Sequence, residues 1–77
     1  MDSGLTFGER GLFVAHVRAG AETAAGETLG EVVTPDGAHA EWIRSPYQGR
    51  VMMIRHSCAV EPGDVAALVA PARQGTP

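Results

Sequence analysis

The sequence predicts an all-β domain, a small pseudo-twofold barrel or sandwich, on three observations. Residues 14–33 echo residues 51–70 at a constant offset of 37: Val14/Val51, Arg18/Arg55, Gly26/Gly63 and Val32/Val69 are identical, and Val17/Ile54 and Glu27/Asp64 are conservative. Short β-branched apolar runs are interrupted every several residues by glycine and proline turns. The alanine-rich stretch 19–25, which tempts a helix assignment, is bracketed by Gly20 and Gly26 and lacks an apolar face at i, i+3, i+4, so it reads as loop.

Taken in order, residues 1–10 are polar, glycine-dotted and without period, and are expected to be flexible. Residues 11–17 form a strand that places Phe13, Ala15 and Val17 on one face and Leu12, Val14 and His16 on the other. A loop over 18–27 leads to a strand at 29–33. Thr34-Pro35-Asp36-Gly37 then supplies hairpin chemistry, with Pro35 presetting the turn, and a return strand spans 38–44. Pro46 and Gly49 make 45–49 a loop, because proline cannot donate to a ladder. A fourth strand covers 50–55, residues 56–59 are ambiguous, Glu61-Pro62-Gly63-Asp64 is a turn, and 65–70 is the closing strand. Residues 71–77 read as a flexible tail, which leaves 11–70 as the domain.

Seventy-seven residues lie near the lower limit at which one hydrophobic core keeps a chain folded. The single cysteine, Cys58, allows no intrachain disulfide and no cysteine-based zinc site, so a reducing cytoplasm is the default expectation. The net charge is −3, and the six basic residues are scattered arginines, which argues against nucleic acid and acidic membranes as partners. No apolar run approaches the roughly 20 residues of a bilayer-spanning helix, and the N-terminus lacks the pattern of a signal peptide.

The residues that could carry chemistry are few. His16, His39 and His56 show no His-x-x-Glu or His-Glu-x-x-His spacing, so neither a catalytic residue nor a metal ligand is assigned. His56 and Arg55 are near enough to Cys58 to favour a thiolate, against which stands the plainer role of a small buried hydrophobe. No Gly-x-Ser-x-Gly elbow and no phosphate-cradling glycine loop occurs, and no cofactor site is assigned. Arg44, at a strand end beside a fixed turn, could fork a carboxylate, or lie solvated over Trp42 or Tyr47.

Several strands are apolar on both faces, notably 12–15, 42–43 and 50–55. Either a tiny barrel buries more than alternation suggests, or one face is left for another protein surface. In the second case Leu12, Val14, Trp42, Met52 and Ile54 are the candidate docking residues.

Gly26-Glu27-x-Leu29, Ile43-Arg44-Ser45-Pro46-x-x-Gly49-Arg50-Val51, Val60-x-Pro62-Gly63-Asp64 and Leu68-Val69 together resemble the biotinyl/lipoyl-like, barrel-sandwich hybrid fold. Carriers of that fold present a modified lysine at the hairpin tip. Here the tip is Thr34-Pro35-Asp36-Gly37 and the chain has no lysine, which rules out a biotin or lipoyl carrier. Gly11-Leu12-Phe13-Val14-x-His16-Val17-Arg18-x-Gly20, Gly26-Glu27-x-Leu29-Gly30 and Glu41-x-Ile43-Arg44-Ser45-Pro46, with the closing Pro62-Gly63-Asp64, narrow the likeness further. They resemble the C-terminal β domain of the succinylglutamate desuccinylase/aspartoacylase family, over roughly residues 11–70. That resemblance implies an accessory domain of a zinc-dependent hydrolase that removes acyl groups from amino acids. The zinc would sit in a separate catalytic domain carrying a His-x-x-Glu and a later His. This chain would dock on that domain and shape substrate access, with Glu41 and Arg44 as the positions to watch for channel contacts. The alternative is a free-standing binding or assembly module of the same fold, a homo-oligomer included.

Overall fold

The computed structural model describes residues 4–72, so residues 1–3 and 73–77 of the expected flexible ends lie outside the described residues. The chain is all-β: β1 (Gly4–Thr6), β2 (Gly11–Ala15), β3 (Glu22–Thr23), β4 (Thr28–Val33), β5 (His39–Arg44), β6 (Gly49–Ile54), β7 (Cys58–Val60) and β8 (Val65–Pro71). They form two four-stranded antiparallel sheets, one ordered β1-β8-β6-β3 and the other β5-β4-β2-β7.

The internal repeat runs further than residues 14–33 and 51–70. Moving 37 residues along the chain carries β3 onto β7, β4 onto β8 and the β1 region onto β5, while β2 overlaps the start of β6. Each sheet draws two strands from each half, because β3 leaves its own half to pair with β6 and β7 leaves its own to pair with β2. Equivalent turns use equivalent backbones. Gly26 and Gly63 have φ of 82° and 93°, a conformation that costs glycine nothing and strains any residue with a Cβ.

Between the sheets lie Phe13, Leu29 and Val32 from the first half and Val51, Val60 and Val69 from the second, all essentially inaccessible to solvent. Each such side chain contributes about 1.5–3 kcal/mol by leaving water. Phe13 also meets Phe7 edge-on at 5.0 Å between ring centres. The alternation expected for β2 holds: Phe13 is buried, while Leu12 and Val14 are exposed.

Three expectations need correction. Residues 4–10 are not a loose end, because β1 pairs with β8 and Phe7 is buried in the core. The stretch 18–27 is not all loop, because Glu22 and Thr23 pair with Arg50 and Gly49. Pro71 belongs to β8, opposite Gly49, where it needs no N–H for the ladder. The hairpin at 34–37 is as expected: Thr34 N–H donates to the Ala38 carbonyl, Gly37 N–H to the Thr34 carbonyl, and Gly37 takes a φ of 90°.

Candidate functional site

Glu41 sits where a β-bulge interrupts β5. Val32 faces Glu41 and Val33 faces His39, so Ala40 is the extra residue. The bulge turns the Glu41 carboxylate toward the N-terminal segment, where it accepts backbone N–H bonds from Gly8 at 3.0 and 3.2 Å and from Glu9 at 3.2 Å. On the other side Phe7 N–H donates to the Asp64 carbonyl, Gly63 N–H donates to the Phe7 carbonyl, and Arg10 pairs with Glu61 at 2.7 Å. Residues 7–10 are thus a strap across the end of the sandwich, and Glu41 fastens it. Glu41, a position expected at a channel, is thus engaged with the backbone of the N-terminal segment.

The outer face of the β5-β4-β2-β7 sheet is part apolar and part ionisable. Leu12, Val14 and Trp42 are exposed on it, and Val14 and Trp42 flank Glu31 in register. His16 Nε2 lies 3.5 Å from one Glu31 oxygen and His39 Nδ1 lies 3.3 Å from the other. The carboxylate therefore stands between the two imidazoles and keeps them apart. The His39 ring packs on Trp42 with 4.2 Å between centres, and the Arg44 guanidinium lies 5.8 Å from the Trp42 ring centre with Nη1 at 3.5 Å from the Gly26 carbonyl. Of the two roles open to Arg44, the structure has it lying over Trp42.

Met52 and Ile54, expected on one face with Leu12, Val14 and Trp42, are on the other sheet. A second bulge separates them from each other. Val51 faces Val69 and Met53 faces Leu68, leaving Met52 as the extra residue. Alternation is displaced by one, so Ile54 turns in to pack on the core while Met52 and Met53 both face out, 58% and 39% exposed beside Leu68 at 39%. Ile54, expected on an exposed face, thus packs against the core, and Met53 and Leu68 are exposed beside Met52.

Next to Met52 a groove of 610 Å³ runs along Glu22, Thr23, Gln48, Gly49 and Arg50 to Pro71. Arg50 is already engaged, with Glu22 at 3.1 Å and with the Gly20 carbonyl at 2.8 Å. Cys58 is half-buried against the core in β7, opposite Phe13. Among the described residues no group of three His, Cys, Asp or Glu side chains is arranged to hold a metal ion.

No protein-family model matches the sequence, and no curated protein matches it. Solved structures do. A succinylglutamate desuccinylase/aspartoacylase from Rhodobacter sphaeroides has a TM-score of 0.78 and 26% identity, over 96% of this chain and 23% of its own. The ectoine utilization protein EutE (DoeB) from Ruegeria pomeroyi has a TM-score of 0.75 and 30% identity, over 87% of this chain and 22% of its own. An aspartoacylase family protein from Mesorhizobium loti matches at TM-score 0.79 and 21% identity, over 92% and 26%. The structural neighbours of this chain are succinylglutamate desuccinylase/aspartoacylase family proteins. The chain spans about a quarter of the length of these family structures.

Proposed function

We propose that this chain is a non-catalytic accessory domain of a succinylglutamate desuccinylase/aspartoacylase-type hydrolase. It docks on a catalytic domain and shapes the approach of an acyl-amino acid to it. The observation that carries this reading is the asymmetry of coverage: 96% of this chain superposes on only 23% of the Rhodobacter sphaeroides protein. The side chains agree with it, since the histidines are divided by Glu31 or stand alone and Cys58 is packed against the core. Zinc belongs, on this reading, to the catalytic domain, and the cytoplasm is where the pair would work. Incubating the purified chain with N-acetylaspartate and N-succinylglutamate, with and without zinc, is expected to give no hydrolysis; zinc-dependent turnover by this polypeptide alone would sink the proposal.

A free-standing assembly module of the same fold is the second reading, favoured by large apolar side chains exposed on both sheets, Trp42 and Leu12 on one and Met52 and Leu68 on the other. Sedimentation velocity separates the two. A stable homo-oligomer at micromolar concentration supports the module, and a monomer supports the accessory domain.

A further inference from the structure

The tip of the β4–β5 hairpin holds chemistry that the accessory-domain reading leaves unused. The chain has no asparagine, and Asp36-Gly37 is its single aspartate-glycine pair. In such a pair no side chain on the following residue shields the amide nitrogen from the aspartate side-chain carbonyl. Asp36 and Gly37 are both exposed, and nothing lies within 4 Å of where a Gly37 Cβ would stand. Asp64 is worse placed for the same step. The β-branched Val65 follows it, and its carboxylate accepts the Glu61 N–H at 2.9 Å.

The reaction available to the pair needs no co-reactant but water. The Gly37 nitrogen bonds to Asp36 Cγ, and the amide proton leaves with the carboxyl hydroxyl as water, so a five-membered succinimide remains. Water then opens the ring at one of its two carbonyls. Opening at Cγ restores aspartate. Opening at the main-chain carbonyl of Asp36 leaves the backbone running through Cβ and Cγ, an isoaspartate of unchanged mass with one more methylene in the chain.

The fold opposes the first step at both reacting groups. The Gly37 N–H is committed to the Thr34 carbonyl at 2.8 Å, a bond that must break before its nitrogen can reach Cγ. The Thr34 hydroxyl donates to the Asp36 carboxylate and accepts the Ala38 N–H at 3.2 Å. These contacts tie the carboxylate to residue 34 and favour its ionised form, which resists nucleophilic attack.

We propose that Asp36-Gly37 is the site at which this chain converts to isoaspartate, and that the Thr34 hydroxyl is the latch that sets how fast it does so. The inference is independent of the accessory-domain reading. Conversion has a structural consequence. The extra methylene falls between Thr34 and Ala38, whose N–H and carbonyl close the hairpin beside the Val33–His39 pair, so the converted chain loses the end of the β4–β5 ladder.

Ageing the purified 77-residue chain at neutral pH, folded and in parallel unfolded in guanidinium chloride, tests it. Trypsin releases residues 19–44, in which Asp36 is the one aspartate. Isoaspartate there is counted by methylation with a protein isoaspartyl methyltransferase. The folded parent should accumulate it several-fold more slowly than the unfolded chain. Folded Thr34→Ala should recover most of that difference, and Thr34→Ser, which keeps the hydroxyl, should stay with the parent. If circular dichroism shows Thr34→Ala to be unfolded, the isosteric Thr34→Val is read in its place. Equal rates in the folded parent and the unfolded chain overturn the latch, as does a folded variant without the hydroxyl that ages like the parent. Isoaspartate that accumulates at Asp64 and not at Asp36 overturns the site.

Discussion

Glu41→Ala separates a strap fastener from a ligand contact. The Glu41 carboxylate takes three hydrogen bonds, of 3.0, 3.2 and 3.2 Å, from the amides of Gly8 and Glu9. A buried bond to a charged group is worth about 1.5–3 kcal/mol, but these amides are near solvent and water replaces part of what is lost, so the set together contributes about 1–2 kcal/mol. In a domain of this size each kcal/mol moves the melting temperature by about 4–8 °C. Thermal unfolding followed by far-ultraviolet circular dichroism should therefore show Glu41→Ala melting about 5–15 °C below the parent. Glu41→Gln, which keeps one carbonyl oxygen, should fall between them. Amide exchange locates the loss. The Phe7 and Gly63 amides, which bond across the strap to the Asp64 and Phe7 carbonyls, should exchange faster in Glu41→Ala, while those of β4 and β6 follow global stability. An unchanged melting temperature and unchanged exchange at Phe7 and Gly63 would refute the reasoning. Burial of Phe7, its backbone bonds with Asp64 and Gly63, and the Arg10–Glu61 pair would then hold the strap, and the Glu41 carboxylate would be free for another role.

Gly30→Ala should cost about 1–3 kcal/mol by overpacking, because its Cβ would stand 2.5 Å from Phe13 Cε1 and 2.6 Å from the Val14 carbonyl, and the latter cannot retreat without opening β2 from β4; urea denaturation reads the loss. Tyr47→Phe removes the bond from the Tyr47 hydroxyl to the Val69 carbonyl at 2.8 Å, and a loss of about 1 kcal/mol is expected in the same assay. Asp36 is held below its ordinary value of 3.8 chiefly by the Thr34 hydroxyl and then by backbone amides of Ala38 and of Asp36 itself. A lowered folded value means that its contribution is present above pH 3.8 and is lost as pH falls through the depressed value, and Thr34→Ala should move the Asp36 carboxyl titration, followed by NMR, back up toward 3.8.

The sequence discloses the long strands and the hairpin because they obey local rules: alternation at residues 11–15, a proline-aspartate-glycine turn at 35–37, and paired glycine turns at 26 and 63. It hides β1 and β3 because strands of three and two residues have too little pattern to read, and they exist only because β8 and β6 offer them an edge. One signal could have found them. The 37-residue offset maps β7 back onto β3 within residues 14–33 and, extended ahead of them, β5 back onto the β1 region. The bulge after Val51 leaves no such trace. Met52, Met53 and Ile54 are all apolar, so no polar residue marks which of them faces out, and only the pairing of Met53 with Leu68 decides it. The role of Glu41 was illegible for a related reason. Its partners are backbone amides 32 and 33 residues away, which no side-chain pattern announces.

The exchange of short strands between halves bears on how the two faces came to differ. With β3 paired to β6 and β7 paired to β2, neither half can complete a sheet alone, and the buried residues of both must fit one shared core. That constraint acts on the inward positions, which is where the repeat stays close: Val32 and its equivalent Val69 are both buried, as are Leu29 and its equivalent Ala66. The outward positions are free of it, and there the halves diverge. Position 31 is a glutamate between histidines, and its repeat equivalent, position 68, is a leucine beside two methionines. One core thus supports an outer face centred on an ionisable cluster on one sheet and one centred on apolar, unbranched side chains on the other.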